Sequence, residues 1–126
     1  MNSLKTLAIG AVVAISWSSA AAAFSMSVSW KGTAKCFDSQ SPIIRLSGVP
    51  KNTKKIQFHM TDLDAPSYPH GGGTVAYSGQ RMLPKGAFSY KGPCPPTPHR
   101  YRWTARAYDA GGKLVGTAGT TLRFSQ

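Results

Sequence analysis

Strict alternation of apolar and polar residues is the feature that most restricts the fold of this 126-residue chain. In the segment FSMSVSWK, the apolar residues Phe24, Met26, Val28 and Trp30 alternate with serines and a lysine. A two-residue period is typical of a strand that buries one of its faces. The same period recurs in KKIQFHMTD and in HRYRWTARAYD. These three segments therefore predict half-buried strands.

Shorter apolar runs predict further strands, at residues 43–46, 73–77 and 87–90, and in the tail at Leu114-Val115 and at TLRF. Thirteen glycines and nine prolines lie mostly between the runs and supply turns. No run outside the N-terminal segment has the 3.6-residue period of an amphipathic helix. The chain is therefore expected to be all-β, an antiparallel β-sandwich with Greek-key-like connections and one disulfide.

The first 23 residues, MNSLKTLAIGAVVAISWSSAAAA, have the layout of a secretory signal peptide. An early lysine precedes an apolar run, and Ala21 and Ala23 suit the two small-residue subsites of the peptidase. The apolar run is short for a membrane span, which needs about 20 residues; an uncleaved anchor is the alternative. We expect residues 24–126 to form a single β-sandwich domain that is periplasmic or secreted.

The charge of the chain is strongly positive, with fifteen Lys and Arg, four Asp, no Glu and a formal net charge of +11. Such a charge favours anionic partners: a small anion, a phospholipid headgroup, an anionic membrane surface or an acidic protein. Nucleic acid is not expected, because the chain is expected to be exported. The sequence makes no prediction of the oligomeric state.

The two cysteines, Cys36 and Cys94, both lie in the expected mature chain. In an oxidising compartment an even pair most simply forms a disulfide, here one that closes a long loop. The chain-entropy model gives such a crosslink about 4 kcal/mol. A two-cysteine metal site is the rival, but no CxxC or HxxxH spacing supports it.

The phase of two strands brings a carboxylate and an imidazole to inward faces. In KKIQFHMTD the even positions carry the apolar residues and lead to Asp62, and in HRYRWTARAYD His99 is in phase with Tyr101 and Trp103. Inward polar groups are costly unless they meet partners, so we expect Asp62 and His99 to meet or to line a pocket mouth. The alternative is structural: Asp62 caps the following turn, and His99 is a satisfied core histidine.

Two motifs resemble a known family. SPIIRLSGVPKNTKKIQFHMTDLDAP (residues 41–66) looks like the start of the phosphatidylethanolamine-binding protein family in its bacterial Raf-kinase-inhibitor-like branch, where SPxIxLSGVPxxTKS precedes a strand and DPDAP. GPCPPTPHRYRWTARAYDAGG (residues 92–112) is similar to the second signature of that family, GPxPPxGxHRY, and the two occur in the family's order. The resemblance implies a β-sandwich with a small anion-binding pocket.

The same resemblance implies a set of site residues. Asp62, His99 and Tyr101 match the residues that contact phosphate-like ligands, Asp64 matches the second acidic residue of DPDxP, and Pro66 closes that motif.

Three positions depart from the family pattern. Leu63 replaces the proline inside DPD, and the glycine before the histidine of the second signature is absent. The further pocket histidine of the family aligns with Gly73, and the nearest histidine here, His70, lies three residues earlier. We include His70 among the candidate ligand-binding residues.

A bound phosphate is expected to contact protonated His99, the Tyr101 hydroxyl and backbone N–H groups, with Gly71 to Gly73 as candidate donors. Asp62 would orient His99 or meet an ammonium such as that of ethanolamine. The alternative for the three glycines is turn chemistry with no phosphate role.

The predicted function is an exported, non-enzymatic binding protein that holds a small phosphate-like or headgroup anion without a cofactor or a metal. The chain has no GxSxG elbow, no HExxH motif and no EF-hand loop. The alternative function is an envelope, protein-interaction or inhibitor module that uses a cationic surface, with the pocket vestigial. Arg100, Arg102 and Arg106 are expected on the outward face of one strand, which is also typical of a solvated face or a protected sheet edge.

Overall fold

The alternating segments form the strands of a computed structural model, which describes residues 8–15 and 23–126. Seven strands lie in that part of the chain: β1 (Ser25–Ser29), β2 (Ile43–Ser47), β3 (Lys55–Asp62), β4 (Gly72–Ala76), β5 (Met82–Leu83), β6 (His99–Tyr108) and β7 (Leu114–Phe124). The described residues contain no helix, and so none that is long and apolar enough to cross a membrane.

The strands form two antiparallel sheets, with the orders β1-β2-β5 and β4-β3-β6-β7. After β3 the chain forms β4 in the same sheet, crosses to the other sheet for β5, and returns as β6 to pair with β3. This non-consecutive pairing is the Greek-key-like connection that was expected. The prediction of an all-β antiparallel fold is confirmed.

The core lies between the two sheets and follows the two-residue period. In β3 the side chains of Ile56, Phe58 and Met60 are buried, and the residues between them are exposed. In β6 the rings of Tyr101 and Trp103 are fully buried. They pack with residues of the smaller sheet, such as Ile44 and Leu46, in one apolar cluster. Burial of each large side chain contributes about 1.5–3 kcal/mol, so the alternation itself drives the fold.

The disulfide between Cys36 and Cys94 is present and closes a 58-residue separation, as predicted. Of the predicted signal peptide, residues 1–7 and 16–22 lie outside the described residues, and residues 8–15 are exposed and form neither helix nor strand.

The strand expected at residues 87–90 is wrong. Ser89 makes only an isolated bridge with Gln40. The N–H of Phe88 donates to the side-chain oxygen of Ser41 at 3.1 Å, where a regular ladder would use a backbone carbonyl. A hydrogen bond to the side chain of a residue 47 positions away therefore takes the place of a backbone bond, and regular pairing does not form here. The short strand β5 was not expected, because two residues are too few to show a period.

The tail is one eleven-residue strand, β7, and not the two short segments that were expected. Two glycines interrupt its apolar pattern, because groups of neighbouring residues occupy the space that a side chain would need at these positions. A Cβ on Gly116 would stand 2.9 Å from the Pro50 ring, and one on Gly119 would stand 2.6 Å from the Arg102 guanidinium.

Candidate anion-binding pocket

The pocket lies where the end of β3 meets the start of β6. These strands are antiparallel neighbours, and the register pairs Asp62 with Tyr101. The Asp62 side chain is buried, and the Nδ1–H of His99 donates to Asp62 Oδ2 at 2.7 Å. The two inward polar groups therefore meet each other at one corner of the larger sheet.

Asp62 also holds the turn that follows it. Its other oxygen, Oδ1, accepts hydrogen bonds from the backbone N–H groups of Asp64 at 2.9 Å and Ala65 at 3.0 Å. The structure therefore contains both the contact with His99 and the turn cap that were expected as alternatives for Asp62. Both oxygens of the carboxylate are engaged within the protein, which fixes its orientation and that of His99.

A second histidine, His70, lines the same cavity and is only 4% exposed. Its Nδ1 lies 2.6 Å from the carbonyl oxygen of Lys91. A carbonyl only accepts, so Nδ1 carries the proton and donates, which leaves Nε2 as the second ring nitrogen. The His70 ring packs edge-on against Tyr101, with centroids 5.6 Å apart. The fold thus brings His70 to the cavity in spite of its three-residue offset from the family pattern.

Tyr101 supplies a hydroxyl to the cavity. Burial, together with the negative charge of the nearby Asp62 carboxylate, raises the pKa of the Tyr101 phenol above its ordinary value. Both effects penalise the phenolate, so the hydroxyl keeps its proton and remains a donor.

The cavity has a volume of about 140 Å³ and opens to solvent. A cavity of this size holds a molecule as large as benzene, so it has room for a phosphate group. Beside the four polar residues, its walls are mostly apolar, from Phe37, Tyr68, Pro95 and Pro96. Cys94 also lines it, so the disulfide is part of the wall.

Four of the six candidate ligand-binding residues line the cavity, and two do not. Asp64 lies behind it, where its Oδ2 accepts the backbone N–H of Arg100 at 2.7 Å. This N–H, with a further contribution from the Arg100 charge, lowers the pKa of Asp64. Pro66 is exposed in the following loop. Both residues shape the corner and do not face the cavity.

The glycines Gly71 to Gly73 also do not line the cavity, so their expected role as phosphate donors is not supported. Gly72 and Gly73 belong to β4 and pair with β3. A Cβ on Gly72 would collide with the Phe58 carbonyl, and one on Gly73 would stand 2.6 Å from the Phe88 side chain. Close packing therefore requires these glycines, which is a structural role.

Sequence reasoning missed the aromatic rim of the cavity. Phe37 and Tyr68 stack with ring centroids 6.2 Å apart, and Lys91 Nζ lies 5.0 Å and 4.8 Å from the two centroids. Phe37 has a φ of 49°, in the left-handed region that non-glycine residues rarely adopt. Both rings belong to loops, where a two-residue period has no phase. The only available signal was their proximity in sequence to Cys36 and His70.

No group of three or more His, Cys, Asp or Glu within the described residues is placed to hold a metal ion.

The fold and the pocket are those of a small two-sheet β-protein with a mostly apolar cavity at a sheet corner, into which a few polar side chains face. The structure is similar to the crystal structure of a phosphatidylethanolamine-binding protein homologue from Chlamydia trachomatis, with a TM-score of 0.62 and 18% sequence identity. The similarity covers 82% of this chain and 98% of that one. No protein-family model and no curated protein matches the chain. The fold is therefore of the phosphatidylethanolamine-binding protein type, which confirms the resemblance of the two motifs at the level of fold.

Proposed function

We propose that this protein is an exported, non-enzymatic binding protein of the phosphatidylethanolamine-binding type, which holds a phosphate-like anion, free or as part of a headgroup. One observation carries the proposal: two histidines of one cavity are both anchored through Nδ1. His99 is held by Asp62 at 2.7 Å, and His70 by the Lys91 carbonyl at 2.6 Å. Each ring therefore offers Nε2 to a ligand.

The chemistry of these groups suits an oxyanion. A protonated imidazole donates from Nε2–H in a charge-assisted hydrogen bond, and the Tyr101 hydroxyl adds a neutral donor. The Asp62 carboxylate lies where it would compensate the charge of a protonated His99 inside a largely buried corner. Because both Asp62 oxygens already accept hydrogen bonds, orienting His99 is favoured as its role over direct contact with an ammonium group.

The contents of the cavity favour binding over catalysis. Cys94 is in the disulfide and offers no thiol nucleophile. Among the described residues that line the cavity there is no serine, threonine or lysine, and the carboxylate of Asp62 is engaged within the protein. These residues supply hydrogen bonds and charge to a ligand, with no activated nucleophile.

Export is the second part of the proposal, and the layout of residues 1–23 supports it. The disulfide is consistent with an oxidising compartment. The test is expression of the full chain in a bacterium and N-terminal sequencing of the protein from the periplasmic and medium fractions. A chain that begins at or close to Phe24 is expected; an intact N-terminus or retention in the cytoplasm would contradict export.

Anion binding is tested by calorimetric titration of the oxidised protein with phosphate and with O-phosphoethanolamine. We expect H99Q and H70Q to weaken binding at least tenfold, because in the proposed complex each ring is protonated and donates a charge-assisted hydrogen bond of about 1.5–3 kcal/mol. The matched control is H59Q, since His59 is exposed on the opposite face of β3. Equal binding by all three variants, or no binding by the wild-type protein, would overturn the proposed site.

A further inference from the structure

The outward face of the larger sheet carries a cluster of cations. The register places Arg100 opposite Arg123, and Arg102 between Thr61 and Thr121. The same face continues along β6 to Arg106 and across to Lys55 on β3. All five cations are exposed: Lys55, Arg100, Arg102, Arg106 and Arg123. We call these five residues the basic face.

The charges of the basic face repel one another at the pairing of β6 with β7. Like charges directly opposite each other on neighbouring strands are destabilising, and Arg100 and Arg123 form such a pair. Within the four strands of this sheet, all in the described part of the chain, Asp62 is the only acidic residue, and it faces inward. Asp64, in the turn after β3, approaches Arg100 at 3.5 Å, which is a weak and exposed contact.

Protection of a sheet edge does not explain the basic face either. β6, which carries three of the five cations, lies between β3 and β7 in the interior of the sheet. Edge strands are the ones that use charged side chains against unwanted pairing. A cationic row on a central strand points to an anionic partner.

Arg102 is held in place by its neighbours. Its guanidinium lies over Gly119, where a Cβ would stand 2.6 Å from one of its nitrogens. One guanidinium nitrogen donates to the hydroxyl of Thr121 at 3.3 Å. The short side chains of β7 at this point leave the other N–H groups of Arg102 accessible. An ordered guanidinium loses less conformational entropy when it binds a phosphate.

An apolar side chain lies beside the cations. Leu63 is 37% exposed, and its backbone N–H donates to the Arg100 carbonyl at 2.9 Å. An exposed leucine next to several arginines suits the interface of an anionic bilayer, which offers lipid phosphates to cations and an apolar layer beneath them. A soluble polyanion offers no apolar layer in which the leucine side chain could be buried.

We propose that the basic face docks on an anionic phospholipid bilayer, with Arg100, Arg102 and Arg123 at the lipid phosphates and Leu63 in the interfacial layer. This surface is separate from the cavity, because its residues lie on the opposite side of β6 from Tyr101 and Trp103. It therefore acts whether or not the cavity binds phosphate.

The test is co-sedimentation of the oxidised mature protein with phosphatidylcholine vesicles that do or do not contain phosphatidylglycerol, at low and high salt. The variant R100T/R102T/R123T is compared with R45T/K31T/K51T, which removes the same charge from exposed positions outside the larger sheet. At roughly fivefold per basic residue near an anionic surface, the first variant is expected to bind roughly 100-fold more weakly and the control to keep most of its binding. The single variant L63S is also expected to bind the anionic vesicles more weakly than the wild-type protein does.

Equal losses in the two triple variants would mean that net charge alone attracts the protein, and would overturn the proposal. So would wild-type binding to soluble polyphosphate without binding to the vesicles, or no vesicle binding at all. Thermal unfolding of each variant checks the fold; removal of the Arg100–Arg123 repulsion is expected to leave the midpoint unchanged or raised. Phosphate titration of R100T/R102T/R123T distinguishes the basic face from the cavity, because phosphate binding in the cavity is expected to persist in this variant.

Discussion

Asp62 and His99 meet across β3 and β6 with 2.7 Å between Oδ2 and Nδ1, and the same carboxylate caps the turn after β3 through Oδ1. One buried side chain therefore joins the end of a strand, the loop beside the cavity and a ring of the candidate site. The structural role of this residue coincides with its proposed role in ligand binding, so its variants must be compared by stability as well as by binding.

Substitution D62A is expected to lower the free energy of unfolding by about 3 kcal/mol, because it leaves the largely buried His99 imidazole and the Asp64 N–H without their acceptor, and the Ala65 N–H with only the backbone carbonyl of residue 62 at 3.3 Å. The measurement is urea unfolding of the oxidised protein. D109A is the matched control: Asp109 also caps a turn through Gly111 and Lys113, but it is not buried, and about 1 kcal/mol is expected. Equal losses in the two variants would contradict the importance assigned to the buried pair.

The stability of the loop that carries Phe37 is expected to depend on acid through Asp38. The backbone N–H of Ala34, followed by the Lys85 ammonium at 2.9 Å, lowers the pKa of Asp38 from 3.8 to about 2. The carboxylate form is favoured in the folded state, so the contribution is present above pH 3.8 and is lost as the pH falls through about 2. Wild-type and D38N unfolding free energies should differ by a constant amount above pH 5 and converge toward pH 2. A difference that stays constant down to pH 2 would contradict this.

Removal of the disulfide is expected to lower stability and ligand affinity together. The variant C36S/C94S loses a crosslink across 58 residues, which the chain-entropy model values at about 4 kcal/mol. Because Cys94 and Phe37 line the cavity, the loops that bear them would no longer be held to one another by a covalent bond. Urea unfolding and phosphate titration of the folded fraction measure the two effects. Unchanged affinity in a destabilised variant would show that the crosslink is not needed to shape the cavity.

Gly73 tests the structural role of the triple glycine. G73A would place a methyl group 2.6–2.9 Å from the Phe88 side chain, and overpacking of this kind costs about 1–3 kcal/mol. G111A is the control, because its Cβ would meet only the Asp109 side chain, at an ordinary 3.5 Å. Thermal unfolding should show a loss in G73A alone. Phosphate binding by folded G73A is expected to persist, since Gly73 does not line the cavity.

Most of the fold was predictable from the alternating segments, because a two-residue period predicts which side chains of a strand are buried. The pairing of Asp62 with His99 followed from the same rule, since each is in phase with the core of its strand. Residues in loops have no such period. Phe37 and Tyr68 reach the cavity through the path of their loops, and the His70 ring is held there by its hydrogen bond to the Lys91 carbonyl. Segment 87–90 resembled a strand because its apolar residues are buried, but the Ser41 side chain interrupts its ladder.

His70 and His99 are proposed to offer Nε2 to one anion, and NMR of the imidazole nitrogens during a phosphate titration observes these atoms themselves. We expect saturable changes at Nε2 of both rings with Nδ1 remaining protonated, while the ring of the exposed His59 stays unchanged. Changes confined to His59 would contradict this arrangement. So would unchanged His70 and His99 signals at phosphate concentrations that already shift the signals of the basic face.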